Sequence, residues 1–155
     1  MTGKFNYAVV GAGRQGTASA YDMAKWGDAA SVLLADYDGE AAAGNAERIN
    51  KLLGVNIATS AQIDVSDHDA LVKLLKPVDV FICGTPFVYI IACAEAAIEA
   101  GTSLVDFGGH TDTVKGPFVQ TYIAPLIMQS GARRLPTSAA PATQRVASNW
   151  WRSGA

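Results

Sequence analysis

Cysteine, histidine and charge are all scarce in this chain of 155 residues. Two cysteines, Cys83 and Cys93, cannot supply a disulfide framework or a four-ligand zinc site, and no other metal-ligand cluster is visible. Both lie in apolar runs and read as small buried hydrophobes. Only 17% of the residues are charged, 12 basic against 14 acidic, and the net charge of −2 leaves no electrostatic footprint for nucleic acid or an anionic membrane. A long uninterrupted apolar run is missing too. The most hydrophobic stretch, residues 78–98, carries Asp79, Pro86 and Glu95, which excludes a membrane span. The amino terminus has no basic segment leading into an apolar one, so no secretory signal is expected and a cytoplasmic location is. One absence divides the chain: residues 117–155 hold 4 Arg but no Lys and no acid, net +4, whereas residues 1–116 hold 8 Lys/Arg against 14 Asp/Glu, net −6. The expected organisation is a folded domain over 1–116 and an atypical Ala/Arg/Pro/Ser-rich tail over 117–155, partly helical or disordered.

What is present is apolar, at 50% of residues, and it is periodic. Residues 5–10 are short, apolar and β-prone, and end at glycines, as a buried parallel strand does. Residues 15–26 switch to helical spacing, with Ala18, Tyr21 and Lys25 in register, and Gly27 closes them. The same alternation predicts a strand at 31–35 stopping at Asp36, and a helix over 39–53 ending at Gly54. A strand at 60–63 follows, with 55–58 as the competing assignment. Ser66 reads as the cap of a short helix through Leu75, with Asp69 three residues on. Residues 78–83 are the fourth strand, 88–100 a helix closed by Gly101, and 103–107 the fifth strand. Strands and helices alternating at this spacing predict an α/β fold, a Rossmann-type doubly wound parallel sheet of order 3-2-1-4-5.

The central motif is Val9-Val10-Gly11-Ala12-Gly13-Arg14-Gln15-Gly16, a G-x-G-x-x-G between a strand and a helix. Gly11 permits the tight turn, Gly13 lets a pyrophosphate approach the backbone, and Gly16 lets the helix pack close to the sheet. Arg14 and Gln15 begin the helix whose free N–H groups and positive dipole end would meet the phosphates. Asp36 lies twenty residues after Gly16, at the end of the second strand. A carboxylate there accepts from both adenosine ribose hydroxyls and repels a 2′-phosphate, so NAD is favoured over NADP. Tyr37 follows it, where a 2′-phosphate would want Arg or Lys. Arg14 is the one nearby cation able to shift the balance.

Ligands in doubly wound sheets sit beyond the carboxyl ends of the strands. That rule places Asp64 and Val65 at the adenine edge, and Gly84, Thr85 and Pro86 at the nicotinamide-side ribose. Each also has a plainer reading, Asp64 as a turn former and Pro86 as a strand stop. His68 reads as a solvated first-turn residue. His110, after Gly108-Gly109 at the end of the fifth strand, is read first as an ordinary polar loop histidine, with proton transfer during hydride chemistry as the alternative.

The runs Val78-Asp79-Val80-Phe81-Ile82-Cys83-Gly84-Thr85-Pro86-Phe87, Ala94-Glu95-Ala96-Ala97-Ile98-Glu99-Ala100-Gly101 and Leu104-Val105-Asp106-Phe107-Gly108-Gly109-His110, with the glycine motif and Ala35-Asp36-Tyr37-Asp38, resemble the saccharopine dehydrogenase family. The chain looks most like its lysine 6-dehydrogenase-type members, over residues 5–115. The resemblance implies an NAD(P)-dependent oxidoreductase moving a hydride to or from the amine-bearing carbon of a lysine-like amino acid. It also implies a second α/β domain that completes the substrate site and often the dimer. Here the region after the fifth strand departs from the family pattern at Gly131-Ala132-Arg133-Arg134-Leu135-Pro136. The expectation is therefore a product lacking the substrate domain, with a tail read in a shifted frame. Two functions remain open, the dehydrogenase and a non-catalytic dinucleotide-binding module, and uncovered surfaces around the fifth strand make homo-oligomerisation an expectation.

Overall fold

The structure is a computed structural model that describes residues 5–107. His110 and the tail over 117–155 lie outside the described residues. In chain order the elements are β1 (Phe5–Val10), α1 (Arg14–Trp26), β2 (Ala29–Asp36), α2 (Gly39–Leu53), β3 (Ala58–Gln62), α3 (His68–Leu75) and β4 (Val80–Cys83). A 3-10 turn over Phe87–Tyr89, α4 (Ile90–Ala100) and β5 (Ser103–Asp106) complete them. The strands form one sheet of order β3-β2-β1-β4-β5, with every pairing parallel. The chain winds outward from β1 in one direction to β3, then returns past β1 to build β4 and β5. That reversal is the switch point that opens a crevice at the carboxyl ends of β1 and β4.

Period-two alternation divides the sheet's apolar residues between two cores. Ala8, Val10, Ala35, Phe81 and Cys83 face one side, where Leu71, Val72 and Leu75 of α3 and Cys93, Ala96 and Ala97 of α4 cover them. Val9, Val32 and Leu34 face the other, under Ala20 of α1 and Ala42, Ala46 and Ile49 of α2. Phe81 is fully buried, which contributes about 1.5–3 kcal/mol of transfer free energy relative to an exposed ring. The many small residues on the helices let them sit close to the sheet. Cys83 and Cys93 are buried free thiols.

Several local assignments differ from expectation, each for a tertiary or local-chemistry reason. α1 turns Gly16 and Ala20 fully inward, whereas Ala18 and Lys25 are exposed. Lys25 instead lays its ammonium over the Tyr21 and Trp26 rings, 5.4 and 5.0 Å from their centroids. The cap of α3 is Asp67, whose side chain accepts from Ala70 N at 3.0 Å. Ser66 is occupied elsewhere: its hydroxyl and N–H both donate to Asp64 Oδ1, at 2.7 and 2.9 Å. β3 starts at Ala58 because Asn50 of α2 brackets its entry. Asn50 Oδ1 accepts from Ile57 N and Ala58 N at 2.9 and 2.8 Å, and Nδ2 donates to Ala58 O at 2.8 Å. The helix expected from residue 88 begins as the 3-10 turn and becomes α-helical at Ile90.

Candidate functional site

A cleft of about 310 Å³ opens at the carboxyl ends of the strands. β1 and the turn after it contribute Val10, Gly11 and Gly13, and the end of β2 contributes Asp36 and Tyr37. The segment after β3 contributes Ile63, Asp64 and Val65, and the segment after β4 contributes Gly84, Thr85, Pro86 and Tyr89. The cleft thus gathers residues from four places separated by up to some eighty positions in sequence. A larger and more open hollow, about 760 Å³, lies beside it against β3 and the start of α2. Size alone does not favour that hollow, since the glycine turn and the β4 loop line only the smaller cleft.

The three glycines of the motif do different work. Gly11 has φ +98°, and a Cβ there would sit 2.6–2.9 Å from the Gly84 carbonyl group and Thr85 N. Any side chain would therefore drive the β1 turn away from the β4 loop. A Cβ on Gly16 would overlap Gly11 O and come within 2.8 Å of Val9 Cγ1, so this glycine is what lets α1 lie against β1. Gly13 is different: its φ is −67°, and among the described residues nothing lies within 4 Å of a Cβ built on it. Neither packing among the described residues nor the backbone conformation requires that position to lack a side chain.

α1 has no side-chain cap and no acidic residue in its first turn. α2 and α3, in contrast, each carry an aspartate cap, with Asp38 accepting from Ala41 N at 3.0 Å. The start of α1, like that of α4, thus has no side-chain cap, and its amides lie at the positive end of the helix dipole. Arg14 and Gln15 are exposed on that first turn and do not line the cleft, and Gly16 is buried beneath it.

Asp36 is fixed before any ligand arrives. Its Oδ2 accepts from Ala12 N at 2.6 Å and its Oδ1 from Asp38 N at 3.0 Å. Asp64 is held as well, and the hydrogen bond from the Ser66 hydroxyl lowers its pKa, with the Ser66 N–H adding to the effect. Its turn-forming role and its place on the cleft wall therefore coincide. Beneath the β4 loop, Cys83 Sγ lies 3.1 Å from Thr85 Oγ1. A hydrogen bond from the Cys93 thiol draws the Cys83 pKa down, and donating that bond, together with burial, pushes Cys93 up.

The expected set Gly11, Gly13, Asp36, Asp64, Val65, Gly84, Thr85 and Pro86 shares this one cleft, and Ile63 and Tyr89 join it without having been singled out in the sequence. Tyr89 comes there through the 3-10 turn, in which Tyr89 N donates to Pro86 O at 3.0 Å. An aromatic three residues after a strand-ending proline was the available signal. Among the described residues no group of three or more His, Cys, Asp or Glu is placed to hold a metal ion. No helix among them is long and apolar enough to cross a membrane.

The described fold is shared with several solved structures. The apo saccharopine dehydrogenase (L-Glu forming) from Saccharomyces cerevisiae matches with a TM-score of 0.57 and 24% identity, over 72% of this chain and 23% of the yeast chain. UDP-glucose-4-epimerase from Stenotrophomonas maltophila, with bound NAD, matches with a TM-score of 0.57 and 21% identity, over 66% of this chain and 36% of that one. Lactate dehydrogenase from Eimeria maxima, with NADH and oxamate, matches with a TM-score of 0.55 and 14% identity, over 76% and 40%. These likenesses concern the fold, and this chain spans less than a quarter of the yeast enzyme's length. The family described as "Saccharopine dehydrogenase NADP binding domain" matches residues 7–152, so the chain belongs to that family.

Proposed function

We propose that the cleft binds a nicotinamide dinucleotide, NAD in preference to NADP, and that the chain is the cofactor-binding part of an oxidoreductase acting on the amine-bearing carbon of a lysine-like amino acid. The observation that carries the dinucleotide reading is Gly13. Gly11 and Gly16 are required by the protein's own packing, whereas the space over Gly13 is used by nothing among the described residues. A pyrophosphate lying against that backbone, with the uncapped amides of α1 as donors, supplies the missing reason. The oxidoreductase reading is supported by family membership, and the substrate class rests on the family resemblance alone.

The cofactor preference follows from charge. A 2′-phosphate would bring about −1.5 to −2 charges beside Asp36. Asp38 and Glu40 line the hollow next to it, and among the described residues neither the hollow nor the cleft has Lys or Arg on its walls. Arg14 lines neither. Asp36, already oriented by Ala12 N and Asp38 N, keeps acceptor capacity for ribose hydroxyls, which charge-assisted hydrogen bonds recognise at about 1.5–3 kcal/mol each. This reading departs from the cofactor in the family's description and makes the two cofactors the informative comparison.

When bound, the nicotinamide would supply the hydride acceptor or donor. The chain's own part is to bind and orient: the glycine turn and α1 take the pyrophosphate, Asp36 the adenosine ribose, and Thr85 and Pro86 border the nicotinamide half. The test is NAD and NADP titration of the purified chain, followed by NAD reduction with lysine and related amino acids. Saturable binding, tighter for NAD than for NADP, is the expected result, and amine-dependent reduction would extend it to catalysis by this chain alone. Binding without turnover would overturn catalysis by this chain alone, and absence of binding to either cofactor would overturn the whole reading.

A further inference from the structure

Asn45 lies on the inward flank of α2, between Ala42, Ala46 and Ile49, which are all buried. An apolar residue would suit that stripe, because a half-buried amide must find hydrogen-bond partners to offset its desolvation. Asn45 finds one far along the chain: Nδ2 donates to Ala12 O at 3.0 Å across 33 residues of sequence. The acceptor is a carbonyl oxygen, so the amide must present nitrogen, which settles its orientation.

Ala12 is the residue between Gly11 and Gly13, where the backbone is least restrained by side chains. Its peptide groups are nevertheless held on both sides. Ala12 N donates to Asp36 Oδ2 at 2.6 Å, and Ala12 O accepts from Thr17 Oγ1 at 2.9 Å as well as from Asn45. Thr17 belongs to the helix that the turn itself opens, and Asp36 belongs to the ribose site. Asn45 ties the turn to a separate element, α2. The Gly13 peptide and the uncapped start of α1 follow directly from the peptide that these three side chains fix.

We propose that Asn45 is a positioning residue for the dinucleotide pyrophosphate, holding the Gly11–Gly13 turn through the Ala12 carbonyl. This rests on the dinucleotide reading above. Preorganising the turn removes an ordering cost that binding would otherwise carry, so the loss of Asn45 falls on ligands that contact the turn. A ligand that reaches only the adenosine side is spared.

The test is titration of the purified full chain with NAD, ADP and adenosine, in the parent, Asn45→Asp and Asn45→Ala. Asn45→Asp keeps size and shape but sets a carboxylate oxygen against the Ala12 carbonyl. It is expected to weaken NAD and ADP about tenfold and adenosine less than twofold, and Asn45→Ala to weaken NAD and ADP about fivefold. Parent-like NAD affinity in Asn45→Asp, or in Asn45→Ala should the aspartate variant not fold, would show a space-filling residue and overturn the proposal. A parallel fall for adenosine would also overturn it, since that marks general loosening of the domain. A parent that binds no NAD overturns the dinucleotide reading itself, an outcome visible before any variant is compared.

Discussion

Gly13 and Gly16, three residues apart, carry opposite predictions. Gly16→Ala forces a methyl group against Gly11 O and Val9, and should destabilise the domain by about 2 kcal/mol or more in urea unfolding. Gly13→Ala adds a methyl group to open space at a backbone conformation that alanine adopts freely, so unfolding should stay within about 0.5 kcal/mol of the parent. Its NAD affinity should nevertheless drop at least about tenfold, because the methyl group occupies the place proposed for the pyrophosphate. A Gly13→Ala chain that binds NAD like the parent would remove the main support for the site. Thr102 carries a separate prediction. Its hydroxyl is buried with no hydrogen-bond partner among the described residues. Thr102→Val keeps the shape and removes that cost, so it should raise unfolding free energy by about 1 kcal/mol, and a loss of stability instead would mean the hydroxyl has a partner.

At the scale of elements, the sequence was most informative where one local rule acted alone. Strand β1, helix α2 and the glycines that end α2 and α4 lie where periodicity and turn chemistry place them, since Gly54 and Gly101 adopt φ +66° and +77°. It was least informative where a distant side chain decided the outcome. The start of β3 depends on Asn50, and nothing in residues 55–63 announces that an amide from α2 will satisfy Ile57 N and both backbone groups of Ala58. Asn50→Ala should cost about 2 kcal/mol and expose the β3 entry to hydrogen exchange, while unchanged protection at Ile57 and Ala58 would refute that role. The cap of α3 was misread because Ser66 and Asp67 are both good caps, and the competing bond from Ser66 to Asp64 decides between them.

Helices α3 and α4 are joined by His68 Nε2 and Glu99 Oε2, 2.9 Å apart. The hydrogen bond to Glu99 raises the His68 pKa above its ordinary 6.5, and the charges of Glu99, Asp69 and Glu95 act in the same direction. A raised folded pKa means the pair's contribution is complete below about pH 6.5 and disappears as pH rises through the folded value. The parent should therefore melt above Glu99→Gln near pH 6 and together with it near pH 8. Both side chains are largely solvated, so added salt should shrink the difference at low pH. A difference that is independent of pH would contradict the assignment.

For the whole molecule, the fold class, strand order and cleft followed from one pattern: strands alternating with helices, a glycine turn after the first strand, and an acid after the second. That pattern is legible because each part of it is local. The cleft's other features were not, since Tyr89, Ile63 and Asn45 reach the site or its supporting turn only through the turn after β4, the course of β3 and the packing of α2. The charge asymmetry also acquires a meaning inside the folded domain. Asp36 lines the cleft and Asp38 and Glu40 the hollow beside it, on the side where the proposal puts the adenosine ribose, although the sequence total of −2 conceals it. The most direct measurement is calorimetric titration of the full chain with NAD and with NADP at the same ionic strength. The account predicts one saturable site that binds NAD at least about tenfold more tightly than NADP. Tighter binding of NADP, or no saturable binding of either, would contradict it.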